Sequence, residues 1–407
     1  MLRLKQLAWL SASSVVGIAV VAVAWSQSRP PAPPKRGPEV LLQLSLAAEK
    51  VGLAEPFKGI TTHGQIEPGL FTIRSTGVST QPLRIATDRF LASLTAQQRA
   101  KTLFSVDDDE WRKWMNQSFY VRQGVSFLEM TEVQRVAALG VLRAALSARG
   151  LKQTQDIMHL DTTLAELTDG NFDEYGEGRY HITVMGKPSA TEPWGFQFDG
   201  HHAIINYFVL GDQVVMSPFF AGSEPVTARS GKYQGTSILQ NEQNLALTFI
   251  NALDEPRRTK AILSFSKTGD ENLTEAWKDN VVLDYAGIAA MELTNAQRAQ
   301  LFELIGLYVH NMDDGHARVK MDEVLAYVDR TYFAWIGKTG PGSVFYYRIH
   351  SPVILIEFDH QRPVGIRHLL DPRVPSVEHV HTVLRTPNGN DYGKDLLRQH
   401  YTQEQHR

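Results

Sequence analysis

Four histidines stand in two pairs. His201 and His202 are adjacent in "GFQFDGHHAIINYF", residues 195–208, an alternating aromatic run that reads as a buried strand. His379 and His381 form an H-x-H in "EHVHTVLRT". Side chains two apart on a strand point to one side, so this pair offers two imidazoles to one point. In "SPVILIEFDH", Glu357 and Asp359 share the face opposite His360. Imidazoles with a carboxylate suit a divalent metal ion such as zinc, iron or copper. The expected ligands are His201, His202, His379 and His381, with Glu357 as a further ligand or general base. A second candidate is "RTPNGNDYGKDLLRQHY". There Arg385 could orient an anionic substrate bidentately, with Asp391 beside it at the sheet's end, where clefts form. Each candidate has a plainer counterpart. Histidines in aromatic strands are usually hydrogen-bonded packing groups, and Asn390 or Asp391 could simply cap the last helix.

Other patterns fail. "NMDDGHARVK" holds Asp313, Asp314 and His316 but lacks calcium-loop spacing, and reads as a solvated helix end. "IGKTG" lacks the leading glycine of a phosphate loop, and "YGEGRYH" lacks the third glycine of a dinucleotide fingerprint. No nucleotide cofactor is therefore expected. G-x-S-x-G and H-E-x-x-H are absent from the sequence. So is cysteine, which removes disulfides, thiolate metal sites and cysteine nucleophiles. Net charge over 407 residues is −3 with no long block of one sign, so nucleic acid is not an expected partner. An apolar content of 43% allows a sizeable core.

The elements that must carry these residues come twice. "FLASLTAQQRAKTLFS" from Phe90 parallels "FINALDEPRRTKAILS" from Phe249. "GVSFLEMTEVQR" from Gly124 parallels "GIAAMELTNAQR" from Gly287. "RYHITVMGKPSATEPWGFQFDGHHAII" from Arg179 parallels "RTYFAWIGKTGPGSVFYYRIHSPVILI" from Arg330, bringing His201 onto His350. Three blocks in one order imply an internal duplication. Thr95, Thr131 and Thr294 each precede a helical run as N-caps should. The runs after Thr131 and Thr294 are expected to stop at Gly150 and Gly315. Strands rich in Tyr, Phe, Ile and Val follow, with a hairpin turn at Gly211-Asp212. The expected fold class is α+β. Each unit is helices followed by an antiparallel sheet segment, and two lobes are related by a pseudo-twofold with any site near their contact.

The N-terminus carries Arg3 and Lys5 before an uncharged run, Leu7 to Trp25. That is the pattern of an export signal, and its length is close to the ~20 residues that span a bilayer. The expected division is 1–26 signal anchor or signal peptide, 27–40 Pro-rich linker, 41–245 first repeat and 246–407 second repeat. The body is expected outside the cytoplasm, tethered to the membrane by the first segment.

Several blocks resemble those of an uncharacterised, mainly bacterial family, domain of unknown function 3500. They are "PWGFQFDGHHAIINYFVLGDQVVMSPFFAGSEP", "LTAQQRAKTLFSVDDDEWRKWM", "GVSFLEMTEVQRVAALGVLRAALSARG" and "HVHTVLRTPNGNDYG". The resemblance covers about residues 85–400 and implies no activity. The residues themselves suggest an exported metal-dependent enzyme, a hydrolase or oxygenase, acting on a small molecule through a His-rich cleft. The alternatives are a periplasmic ligand- or metal-binding protein without turnover and a structural envelope protein.

Overall fold

The computed structural model describes residues 37–404, so the apolar segment Leu7–Trp25 and most of the linker lie outside the described residues. Among the described residues no helix is long and apolar enough to cross a membrane.

Among the described residues, ten helices surround one mixed sheet of 12 strands. The first six strands are β1 (Leu103–Phe104), β2 (Val125–Ser126), β3 (His181–Gly186), β4 (Trp194–Gly200), β5 (Ala203–Leu210) and β6 (Gln213–Ser223). The rest are β7 (Ile262–Ser264), β8 (Ile288–Ala289), β9 (Tyr332–Gly337), β10 (Phe345–His350), β11 (Leu355–His360) and β12 (Val380–Arg385). Their order is β1-β3-β4-β5-β6-β12-β11-β10-β9-β7, with β2 on β3 and β8 on β9. The pairs β1/β3 and β7/β9 are parallel and the others antiparallel. The sheet is therefore continuous through both halves of the chain, joined where β6 meets β12. Every residue of β4, β5, β10, β11 and β12 is buried. These strands are covered on both faces, which explains why they read as near-continuous apolar and aromatic runs. The tight turn at Gly211-Asp212 joins β5 to β6, with Leu210 opposite Gln213.

The threonine caps form as expected. Thr95, Thr131 and Thr294 each accept from the backbone three residues on, and Gln98, Gln134 and Gln297 reach back to complete capping boxes. They start α3 (Ala96–Thr102), α4 (Glu132–Ala145) and α8 (Asn295–Val309), each cap contributing about 1 kcal/mol. The expected stops do not hold. The helix after Thr131 breaks at Leu146, and Ser147 caps a new one, α5 (Ala148–Leu167), which contains Gly150. Likewise α8 ends before Asp313, which caps α9 (Asp314–Ala326). Backbone from the two halves meets at these breaks: Ser147 N donates to Asn311 O (3.1 Å) and Asp313 N to Ala145 O (3.0 Å). Gly150 is an approach point, not a cap: a Cβ there would lie 2.1 Å from Asn311 O.

Two further glycines carry a shared constraint. Gly124 (φ +80°) and Gly287 (φ +84°) both take left-handed backbone. A Cβ on either would strike a strand carbonyl, Ile182 O at 2.2 Å and Phe333 O at 2.0 Å. Preceding each is a long irregular segment, 105–124 between β1 and β2 and 265–287 between β7 and β8. Both segments send residues onto the β11/β12 region: Asn116 to His381 and Trp114 against Arg385 from the first, and residues 271–275 onto Glu357, Asp359, His381 and Arg385 from the second.

Candidate metal centre

Three of the predicted histidines converge. β4 and β5 form a hairpin in which Gly200 pairs with Ala203, leaving His201-His202 as a two-residue loop. His202 sits at φ +67°, where such loops ordinarily carry glycine or asparagine. A residue with a Cβ costs of order 1 kcal/mol in that region. The sequence holds an imidazole there all the same. The β6/β12 register places His381 opposite Gly222, and His379 precedes β12. A Cβ at Gly222 would lie 3.1 Å from His381 Cδ2 and 2.7 Å from Val380 O. The absence of a side chain at Gly222 makes room for the ring.

The result is a cluster of Nε2 atoms. His202 Nε2 lies 3.1 Å from His381 Nε2, which lies 3.0 Å from His379 Nε2. Among the described residues this is the one group of three histidines or carboxylates whose ligand atoms fall within 4.8 Å of one another. All three side chains are buried. Metal–nitrogen bonds of 2.0–2.1 Å at tetrahedral angles separate two nitrogens by roughly 3.3 Å. The observed spacing is close to that.

The outer nitrogens fix which ring atoms carry hydrogen. His379 Nδ1 is 2.6 Å from Arg362 O, and a carbonyl only accepts, so that nitrogen donates. His381 Nδ1 is 2.7 Å from Glu275 Oε1. Burial draws the Glu275 carboxyl upward, but the His381 ring and its hydrogen bond hold it down to about 2, so it too accepts. Burial lowers His379 and His202, the latter well below the usual imidazole range, with neighbouring imidazoles adding to the effect. A neutral ring that donates from Nδ1, as His379 does, presents a bare Nε2 lone pair. With hydrogen on Nδ1 of His379 and of His381, a hydrogen on His202 Nε2 satisfies its contact with His381 and leaves the His379–His381 contact as two facing lone pairs. A cation at the centre satisfies all three. The group could hold a metal ion, with Glu275 and Arg362 O as the outer groups that would orient its imidazoles.

The remaining predicted residues lie around this cluster. His201 is outside the three-atom group. Its Nδ1 meets Asp161 Oδ1 at 2.6 Å, and its ring stacks on His202 with centroids 3.8 Å apart. His350 packs on Tyr285, with centroids 4.6 Å apart, and not on His201's partners Asp161, Tyr175 and His202. Glu357 is fully buried and accepts from Leu273 N (3.0 Å), Thr274 N (2.9 Å), Tyr346 Oη (2.6 Å) and the Thr274 hydroxyl. Asp359 accepts from Glu271 N (2.7 Å) and pairs with Lys267 (2.9 Å). Arg385 donates to Thr274 O (2.9 Å) and Glu275 O (3.0 Å) and pairs with Asp279 (2.8 Å) and Asp391 (3.2 Å). Asp391 also accepts from Thr386 N at 2.7 Å, and burial pushes it up to about 6 despite Arg385. Glu357 and Arg385 pin the 271–279 segment that delivers Glu275 to His381, and Asp391 holds Arg385. Asp313 caps α9 and also holds His316 (2.7 Å) and Tyr207 (3.1 Å), so that helix end is partly buried where a solvated one was expected.

Glu275, Asp161 and Gly222 were not singled out by sequence. Glu275 lies in "DENLTEAWKDN", a polar stretch with no period and several equivalent acids, and only the fold selects it. Gly222 follows "PFFA", where a small residue inside an aromatic strand was the available signal.

A family model described as "Protein of unknown function (DUF3500)" matches residues 76–394, most of the chain. No curated protein and no solved structure matches.

Proposed function

We propose that this chain, which belongs to the DUF3500 family, binds one divalent metal ion through His202, His379 and His381 and uses it on a small molecule. The observation that carries the reading is the meeting of three Nε2 atoms at 3.0–3.1 Å, two of them turned inward by acceptors on Nδ1. Three neutral nitrogen donors suit zinc, copper or iron. His202, His379 and His381 would hold the ion, which would supply Lewis-acid chemistry suited to a hydrolase, or with iron or copper the chemistry of an oxygenase. The protein's part is to fix ring tautomers through Glu275 and Arg362 O, and to keep bulk water from the ligands by burial. Titration of metal-stripped protein with zinc, copper(II) and iron(II) tests it. One equivalent should bind to the wild type and none to His381→Ala. Equal uptake by both proteins would end the reading.

Burial favours a second reading. At 4–5% exposure the three rings suit retention of an ion as well as turnover, as in a metal-binding protein without catalysis. Turnover of ester, amide or oxidisable probes that disappears in His381→Ala would separate the two.

The duplication expected from sequence is also proposed, with 41–245 and 246–407 as the units. The strand order reads alike from both edges, Gly124 and Gly287 meet matching strands in the same way, and the capping boxes and helix breaks recur. Aligning the halves of other family members tests this, and chance-level agreement at these positions would contradict it. The segment Leu7–Trp25 is proposed to export the body and anchor it at the membrane. A mature N-terminus near Trp25 would replace the anchor with a cleaved signal.

A further inference from the structure

The three rings of the cluster are 4–5% exposed, so an ion needs a route to them. Three irregular segments close over the cluster. Segment 105–124 brings Asn116 to His381 (3.5 Å), and 265–287 brings Glu275 to the same ring (2.7 Å). The third, 361–378 between β11 and β12, brings Arg362 O to His379 (2.6 Å). The first two are held firmly. Trp111 and Trp114, both 0% exposed, sink the first into the main core. The second donates backbone N–H groups to the buried carboxylates of Glu357 and Asp359, and its carbonyls accept from Arg385.

The third segment is held differently. Its ends meet: Gln361 N donates to His379 O (2.8 Å) and Ser376 N to Gln361 O (2.9 Å), which makes 361–376 an Ω-loop. Arg362, at the base, is tied to the second segment. Its N donates to Asp270 Oδ1 (3.0 Å) and its guanidinium to Thr268 O (2.8 Å). Beyond that base the loop gives no residue to the main core. Ile366 and Leu370 instead join Leu164, Ala165, Leu167 and Tyr175 in a separate small cluster on α5, where His368 Nε2 also donates to Leu167 O (3.0 Å). One buried side chain holds the turn at 364–366. Glu224 accepts from Val364 N (2.8 Å), Gly365 N (2.8 Å) and Ile366 N (3.2 Å). Its Oε2 lies 3.9 Å from His379 Nδ1, so the turn sits one carboxylate away from a ring of the cluster. Tyr175 of the small cluster packs on His201, which stacks on His202. On the loop's outer side Val364 and Val374 are more than half exposed. A segment held by few buried apolar contacts opens at a lower free energy than segments rooted in the core.

We propose that residues 363–375 are a gate. They swing off Glu224 and the small cluster on α5 to admit the ion, while the base at Arg362 stays shut. The inference rests on the metal reading for what passes through, but the opening itself stands on the loop's own contacts. Arg362 O remains on His379 throughout, so the gate sets the rates of loading and release and leaves affinity alone.

Two measurements on the full chain test it. In hydrogen exchange of the wild type, the amides of 364–370 should exchange at least tenfold faster than those of 271–275. In stopped-flow zinc uptake, and zinc release to a chelator, Ile366→Ala should raise both rates tenfold or more and keep Kd within threefold. Exchange at 364–370 as slow as at 271–275 overturns the gate. So do unchanged zinc rates in Ile366→Ala, or faster release without faster uptake. The exchange measurement needs no variant, and it decides the matter should Ile366→Ala fail to fold. If no zinc is taken up while 364–370 still exchanges early, the metal reading fails and the opening loop survives.

Discussion

Glu275→Gln is the perturbation that probes the centre without touching a ligand. Glu275 Oε1 accepts from His381 Nδ1 at 2.7 Å, Asn272 Nδ2 at 2.8 Å and Gln361 Nε2 at 3.1 Å, three donors converging on one half-buried oxygen. Glutamine keeps the shape and one acceptor oxygen but removes the charge that fixes the His381 tautomer. Loss of an outer carboxylate on a ligating histidine typically weakens metal binding 10–100-fold, or about 1.4–2.8 kcal/mol. The assay is competition for zinc against a chromophoric chelator at pH 7.5, with metal-free thermal unfolding measured alongside. The variant should fold, lose affinity within that range, and shed its ion to the chelator first. His381→Ala, which deletes a ligand, should fall below detection. A folded Glu275→Gln protein with affinity within twofold of wild type would refute the idea that Glu275 orients a ligand.

Three other outcomes follow from the same geometry. Gly222→Ala forces a Cβ to 2.7 Å from Val380 O and 3.1 Å from the His381 ring. Chemical denaturation should show a loss of about 1–3 kcal/mol, with weaker zinc binding in the protein that still folds. Arg385→Met leaves Asp391 buried without its cation, while Asp279 keeps Arg112 at 2.9 Å, and should cost about 3–5 kcal/mol by urea unfolding. His350 is 1% exposed, and burial lowers it to about 3. Its folded pKa lies below the unfolded value near 6.5, so its contribution is complete above about pH 6.5 and is lost as pH falls toward 3. Relative to His350→Phe, the wild type should therefore lose about 2 kcal/mol between pH 7 and pH 5, and a pH-independent difference would contradict this.

The sequence revealed the ingredients of the centre better than its assembly. Alternation in "EHVHTV" correctly puts His379 and His381 on one side, because that is a local property of strands. The turn at Gly211-Asp212 and the three threonine caps are equally local and were legible. His201-His202 was read as strand interior, because nothing in residue type marks a left-handed turn built from histidine. The convergence itself depends on the β6/β12 register, which joins Gly222 to His381 across 159 positions of sequence. The helix breaks at Leu146 and Asp313 were missed for a similar reason. Apolar periodicity runs on through both, and what interrupts it is backbone arriving from the other half of the chain. Glu357 and Arg385 looked like chemistry because buried charge often is, yet their partners are loop amides, loop carbonyls and one another's neighbours.

Anomalous diffraction from crystals of the protein grown with stoichiometric zinc, collected at the zinc edge, addresses the central claim most directly. The account predicts one strong peak per chain, within roughly 2.0–2.1 Å of Nε2 of His202, His379 and His381. An empty cluster, with zinc found only elsewhere on the surface, would contradict it.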